Sequence, residues 1–205
     1  MGAEEQMRGK LIAVEGVEAS GKSTQAERLA RHLGALLTRE PGGTALGERL
    51  RELLLDPRVG MTERAEALLI AADRAQHVAE VVMPALSAGR DVVSDRWIPS
   101  SLAYQGFGRG LPVEQVREIS LWATDGLDAD LVVLLDAPVE FAAARRRPGS
   151  DRFEREGREF HEAVRQGYLA LAESDPESWV VVDASGTVEE VWVRVRTAVE
   201  ERLAR

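Results

Sequence analysis

The chain has no cysteine and no asparagine, and it has two lysines against 24 arginines. Without cysteine there is no disulfide, no thiolate nucleophile and no cysteine-ligated zinc, a composition compatible with a reducing, cytoplasmic setting. Without asparagine, the Asn-Lys-x-Asp motif with which guanine-nucleotide switches read their base cannot exist here. Long apolar runs are missing too. Leu131 to Leu135 falls far short of the roughly 20 residues a membrane-spanning helix needs. Positive charge is in deficit, with a formal net charge of −9. That argues against non-specific attachment to nucleic acid or to an anionic membrane, so any polyanion must be met by local positive charge. Residues 1–10 are polar, carry Glu4 and Glu5, and lack the apolar core of a secretory signal. Gln6 stands where the Met-Gly myristoylation pattern requires Ser or Thr.

What is present is a soluble-type composition, 44% apolar and 30% charged over 205 residues, enough for one α/β domain with a sizeable core. No repeat, low-complexity linker or second domain interrupts it. Strand-like and helix-like runs alternate, which predicts βαβ units and a parallel sheet. Strands are expected at Leu11–Glu15, Ala35–Thr38, Asp91–Ser94, Leu131–Leu135 and Trp179–Val182. Helices are expected at Ser23–Leu33, Ala45–Leu55, Glu63–Leu86, Val113–Ala123, Phe141–Ala144, Arg158–Ala172 and Val188–Leu203, with a break at Pro148-Gly149-Ser150.

The strongest signal is Gly16-Val17-Glu18-Ala19-Ser20-Gly21-Lys22-Ser23. It is a complete G-x-x-x-x-G-K-S phosphate-binding loop between a predicted strand and a predicted helix. Glycine lets the backbone approach an anion, and the loop N–H groups and helix N-terminus face phosphate. Lys22 supplies a point charge to the β- and γ-phosphates, and the Ser23 hydroxyl can ligate Mg²⁺. A chain that uses arginine almost everywhere places a lysine here. The motif therefore implies a nucleoside triphosphate with Mg²⁺.

Three further segments carry chemistry. Ser94-Asp95-Arg96 ends the third strand, where ligands of open α/β sheets bind. Asp95 there can support Mg²⁺ and Arg96 can fork a phosphate, although a surface ion pair would read the same. Arg145-Arg146-Arg147-Pro148-Gly149-Ser150-Asp151-Arg152 reads as a basic lid that brings arginine to a transferring phosphoryl group, or as a solvated helix end. Thr38-Arg39-Glu40-Pro41-Gly42-Gly43-Thr44 leaves the second strand near the phosphate loop, or is an ordinary turn. His32, His77 and His161 have no ligand spacing and read as structural. Trp97, Trp122, Trp179 and Trp192 read as core or partly buried.

Taken together, these residues resemble the bacterial thymidylate kinase family over nearly the whole chain. Glu15 to Glu18 into the phosphate loop, Arg39 to Thr44, Ala71-Ala72-Asp73-Arg74, Asp95-Arg96, Ser100 to Gly106, Arg109-Gly110 and Asp151 to Glu154 fall in the family's order. The resemblance implies one nucleoside-monophosphate-kinase-like domain, 1–205, with a lid at about 145–157. The implied fold is the P-loop NTPase type: a three-layer α/β sandwich with a five-stranded parallel sheet and helices on both faces. It implies transfer of the ATP γ-phosphoryl group to thymidine monophosphate (TMP), with no protein nucleophile. The loop from Gly16 to Ser23, with Thr24, would hold ATP; Lys22 and Ser23 would hold ATP and Mg²⁺, and Asp95 would support the metal. Arg51 and Arg96 would grip the acceptor phosphate and Glu18 the sugar 3′-hydroxyl. Arg74, Ser101 and Gln105 would read thymine, with Glu40, Ile70 and Ser100 completing the acceptor site. Ala19 stands where some relatives carry a loop arginine, so the catalytic arginine is expected in the lid, as Arg147 with Arg152. The resemblance also implies a homodimer, expected through the helix from Glu63 to Leu86. Ile70 replaces the aromatic ring that commonly stacks on thymine, and Trp97 follows Asp-Arg where Tyr or His is commoner. The rival readings are a kinase for another nucleoside monophosphate and, from another class, a nucleotide-dependent switch or binding module.

Overall fold

The computed structural model describes residues 8–143 and 151–204. Five strands, β1 (Leu11–Glu15), β2 (Leu36–Arg39), β3 (Val92–Asp95), β4 (Leu131–Asp136) and β5 (Trp179–Asp183), form one parallel sheet in the order β2-β3-β1-β4-β5. β1 lies at the centre, paired Val14 to Asp95 on β3 and Glu15 to Leu134 on β4. The phosphate loop thus leaves the sheet beside the carboxyl end of β3, where the strand order reverses.

The near-continuous apolar runs of the central strands follow from burial on both faces. Alternate residues divide between two cores. Ile12, Val14, Val133 and Leu135 pack against α1 (Lys22–Leu33) and α9 (Val188–Leu203), through Ala26, Leu29, Val191 and Val195. Leu11, Ala13, Val132 and Leu134 face the opposite layer, where Val78, Leu86, Ile98, Val116 and Val164 pack. That layer holds α3 (Glu63–His77), α4 (Met83–Ser87), α5 (Ile98–Ser101), α6 (Val113–Ala123) and α8 (Arg158–Ser174), while α2 (Ala45–Leu55) lies along α3 and α7 (Val139–Ala143) precedes α8. Helices cover both faces, as the alternation of sequence patterns predicts.

Two departures from the sequence reading have local causes. The single helix expected from Glu63 to Leu86 is divided by a π-helical stretch, Val78–Val82. Pro84 sits in the first turn of α4 and cannot donate to the preceding turn, so the helix widens just before it. The segment Ile98–Ser101 followed by a π-helical Leu102–Gly108 was not anticipated. Pro99, Gly106 and Gly108 punctuate it with residues that signal turns. Trp97 and Trp179 are buried, but Trp122 is 85% exposed, against the expectation of core or partial burial. It lies near the C-terminal end of α6, behind Ser120, which is the residue of that turn that faces inward.

Candidate functional site

The loop between β1 and α1 adopts the backbone its glycines permit. Gly16 has φ 149°, and a Cβ there would stand 2.7 Å from Leu135 O. Gly21 caps α1 at φ 91°, and Ala19 holds a left-handed φ of 61° without glycine's freedom. Val17 and Ser20 are buried, while Ser23 and Thr24 are exposed at the first turn of α1. Lys22 reaches back over the loop, 3.4 Å from Val17 O and 3.6 Å from Glu18. Burial, then Arg96, push its pKa down. Ser23 Oγ donates to Asp95 Oδ2 at 2.5 Å, which joins the loop to the end of β3.

Arg96 follows Asp95 in a left-handed conformation, φ 76°, and its guanidinium is gripped from several sides. It donates to Glu18 at 2.5 Å, Ser100 at 2.9 Å, Tyr104 at 3.1 Å, and Gly16 O and Tyr168 at 3.3 Å. Burial raises the pKa of Glu18, but Arg96 and then Lys22 outweigh it and hold the carboxyl at about 2. Beneath this pair, fully buried Glu15 accepts from Trp97 N–H, Ser100 and Tyr168. Burial pushes its pKa up. Tyr168 on α8 is a support the sequence reading missed; it sits on an amphipathic helix and carries no motif of its own.

One cleft gathers Glu18, Lys22, Ser23, Glu40, Arg51, Ile70, Arg74, Asp95, Arg96, Ser100, Ser101 and Gln105, every predicted acceptor-side residue. Arg39, Tyr104, Leu54, Leu55 and Phe153 also line it, though none was assigned a role from the sequence. Arg51 donates to Pro41 O at 3.0 Å, and burial followed by Arg39 and Arg96 lower its pKa. Several cations therefore line the same cleft. Arg74 is buried and donates Nε to Glu40 at 2.7 Å, Nη1 to Ser120 at 3.1 Å and Nη2 to Ser101 at 3.1 Å. These contacts use three of its five N–H bonds.

Glu40 lines the cleft and also holds its neighbours. One of its oxygens accepts from Arg74 and the other meets His77 Nδ1 at 2.8 Å, so it positions the Arg74 guanidinium. His77 in turn reaches Thr38 at 2.6 Å, a structural role as read. Arg152 is tied to the neighbouring helices. Its guanidinium meets Glu66 at 2.6 Å and Leu54 O at 3.0 Å, and its backbone N–H meets Leu55 O. In this arrangement it contacts α2 and α3 and makes no hydrogen bond or ion pair with Lys22, Ser23 or Asp95. Arg147 and the rest of 144–150 lie outside the described residues. Glu66, on the first turn of α3, went unnoticed because a first-turn glutamate is ordinary helix chemistry; only the fold shows that it is buried.

A family model described as Thymidylate kinase matches residues 14–195. A curated thymidylate kinase of Desulfovibrio desulfuricans is 49% identical over 209 residues, covering 95% of this chain and 96% of that protein. One from Leifsonia xyli subsp. xyli is 50% identical over 205 residues, covering 95% and 96%. The crystal structure of thymidylate kinase from Ehrlichia chaffeensis is similar at a TM-score of 0.76 and 28% identity, covering 94% of this chain and 99% of that one.

Proposed function

This chain belongs to the thymidylate kinase family, and on that premise we infer that its cleft moves the γ-phosphoryl group of ATP onto TMP, giving ADP and thymidine diphosphate. It is an enzyme of the nucleoside monophosphate kinase type. The observation that carries the residue assignments is that one cleft gathers Lys22, Arg39, Arg51 and Arg96 together with Arg74, Ser101 and Gln105. The cations suit phosphates, and the neutral Ser101 and Gln105 beside Arg74 suit a base edge.

In the proposed reaction an oxygen of the TMP phosphate attacks the γ-phosphorus in line, and the bond to the β,γ-bridging oxygen breaks. Lys22 and the loop N–H groups balance charge on the ATP phosphates. Arg51 and Arg96 fix the acceptor phosphate, so the protein contributes position and charge and no nucleophile. Glu18, ionised and anchored by Arg96, accepts the sugar 3′-hydroxyl. The Arg74 guanidinium suits the O4 oxygen of thymine, and Ile70 packs on the ring. Mg²⁺ fits the donor set at Ser23 and Asp95. Asp95 Oδ1 is buried with no hydrogen-bond partner among the described residues, and this ion commonly takes one or two protein oxygens, the rest coming from phosphate and water. When bound, it would offset charge on the β- and γ-phosphate oxygens.

The proposal also takes 1–205 as one domain with a lid at about 145–157, from which Arg147 would reach the transferring group. Arg152, tied to Glu66, anchors the lid's C-terminal side. A homodimer is proposed through the α3–α4 helix, where Leu68, Ala72, Ala79 and Met83 form an exposed apolar stripe whose small middle residues permit close approach of a second copy. No helix among the described residues is long and apolar enough to cross a membrane; the proposed setting is the cytoplasm, where its nucleotide substrates are.

A coupled assay of ADP release with Mg-ATP, run against a panel of nucleoside monophosphates, tests the reading. Strong preference for TMP is expected. Preference for another acceptor would keep the phosphate chemistry and overturn the base-reading roles of Arg74, Ser101 and Gln105.

A further inference from the structure

Gln105 lines the cleft and is almost wholly buried. Its Nε2 donates to Glu66 Oε1 at 2.7 Å, and its Oε1 accepts no hydrogen bond from a described residue. Glu66 is itself buried, and two guanidinium groups reach it: Arg152 at 2.6 Å and Arg109 at 3.3 Å, both on Oε2. Arg109 Nε also points at Oε1, 3.3 Å away, and Glu156 takes Nη1 of Arg109 at 2.5 Å. A carboxylate facing two groups that only donate serves as an acceptor alone. An amide placed against it must therefore turn its NH₂ toward the carboxylate and its oxygen away.

We propose that Glu66 is a specificity-determining positioning residue: by holding the Gln105 amide in one orientation, it presents Oε1 to the base and selects nucleobases that carry a ring N–H donor. The proposal rests on the reading of this cleft as the acceptor site. Thymine and uracil offer N3–H to that oxygen. Cytosine offers a lone pair at the same position, so two acceptors would face each other in a buried site, which is costly. A glutamine left free to flip would instead accommodate both, by donating Nε2 to cytosine. The device lies one residue behind the ligand, so the fixed polarity of a neutral side chain is set by a buried charge that does not touch the substrate.

The test is Glu66→Gln, which keeps the shape but can donate or accept toward Gln105. Specificity is read as kcat/KM for TMP, deoxyuridine monophosphate and deoxycytidine monophosphate. The TMP-to-deoxycytidine ratio is expected to fall by about 10-fold or more, while the TMP-to-deoxyuridine ratio stays unchanged, because both bases carry N3–H. In a Gln105→Leu background the same substitution should leave the deoxycytidine ratio where Gln105→Leu put it, since nothing remains to orient. A wild-type ratio in folded Glu66→Gln overturns the proposal, as does a further loss of the same size in the Gln105→Leu background. If Gln105→Leu alone leaves the ratio at its wild-type value, the base-reading role of Gln105 fails, and the proposal with it. Should Glu66→Gln not fold, Glu66→Asp gives the same readout: it keeps the charge but shortens the reach, and the same fall in ratio is expected, with an unchanged ratio overturning the proposal.

Discussion

Ser23 and Asp95 meet at 2.5 Å, hydroxyl to carboxylate, across the gap between the first turn of α1 and the end of β3. The other Asp95 oxygen is buried without a partner among the described residues. The helix that follows β1 and the end of β3 thus deliver one neutral and one charged oxygen to the same point, because β1 and β3 pair in parallel with Val14 opposite Asp95.

Asp95→Asn is expected to keep the hydrogen bond to Ser23 while removing the charge. Activity should fall about 10- to 100-fold, and the Mg²⁺ concentration for half-maximal rate should rise, the usual scale for losing a group that supports a metal. Initial rates across a Mg²⁺ titration check this. An unchanged half-maximal Mg²⁺ concentration would remove Asp95 from the metal assignment.

Arg51 presents the opposite balance, a cation held where other cations disfavour it. Burial and the nearby Arg39 and Arg96 lower its pKa, against Asp95 and Glu48, and an anion in the cleft would offset that repulsion. Arg51→Ala should raise KM for TMP about 10- to 100-fold, the loss of a charge-assisted hydrogen bond, and leave KM for ATP near wild type. It should not lower the unfolding temperature. Loss of stability with an unaltered KM would make Arg51 structural.

The parts of this molecule with a strong local cause were legible in the sequence. β1 and α2 fall where the pattern places them, because strand β1 is apolar from Leu11 to Val14 and α2 is opened by a Thr44 cap that accepts from Gly47 N–H. The phosphate loop was legible because its spacing carries the chemistry. The supports behind the site were not. Glu66, Tyr168 and Glu15 are ordinary residues of a helix or strand until the fold buries them beside Gln105, Arg96 and Ser100. Their partners lie from 39 to 153 positions away in the chain, beyond any local pattern. Glu40 shows the converse: its motif was read, but its hydrogen bonds to Arg74 and His77 were not, because those partners lie 34 and 37 positions away.

Ile70 tests how much of the acceptor affinity comes from stacking. It is partly buried on the cleft wall one helical turn before Arg74. A phenyl ring there would add a π-face to the contact with thymine, worth about 0.5–1.5 kcal/mol beyond its area. Ile70→Phe is therefore expected to tighten TMP binding by roughly 2- to 10-fold. Calorimetric titration showing equal or weaker affinity would mean that the aliphatic side chain already fills the space.

Asp73 supplies a pH signature away from the reacting atoms. It lies beneath Gly42, whose N–H it accepts at 3.0 Å, while its other oxygen is buried without a partner among the described residues. Burial, then the neighbouring Glu40, raise its pKa from 3.8 to about 6; Gly42 N–H, His77 and Arg74 only partly oppose this. At pH below 3.8 both folded and unfolded chains hold the proton. Between 3.8 and about 6 the folded chain keeps a proton that the unfolded chain has lost. The folded state then binds more protons, so stability from this group falls as pH rises through that window and is level above it. Asp73→Asn keeps an acceptor for Gly42 but cannot ionise. The variant should therefore gain stability relative to the native chain across the window, with a constant advantage at higher pH. Urea unfolding at a series of pH values measures the difference directly. A difference that does not vary with pH would mean that Asp73 ionises as easily in the folded chain as in the unfolded one.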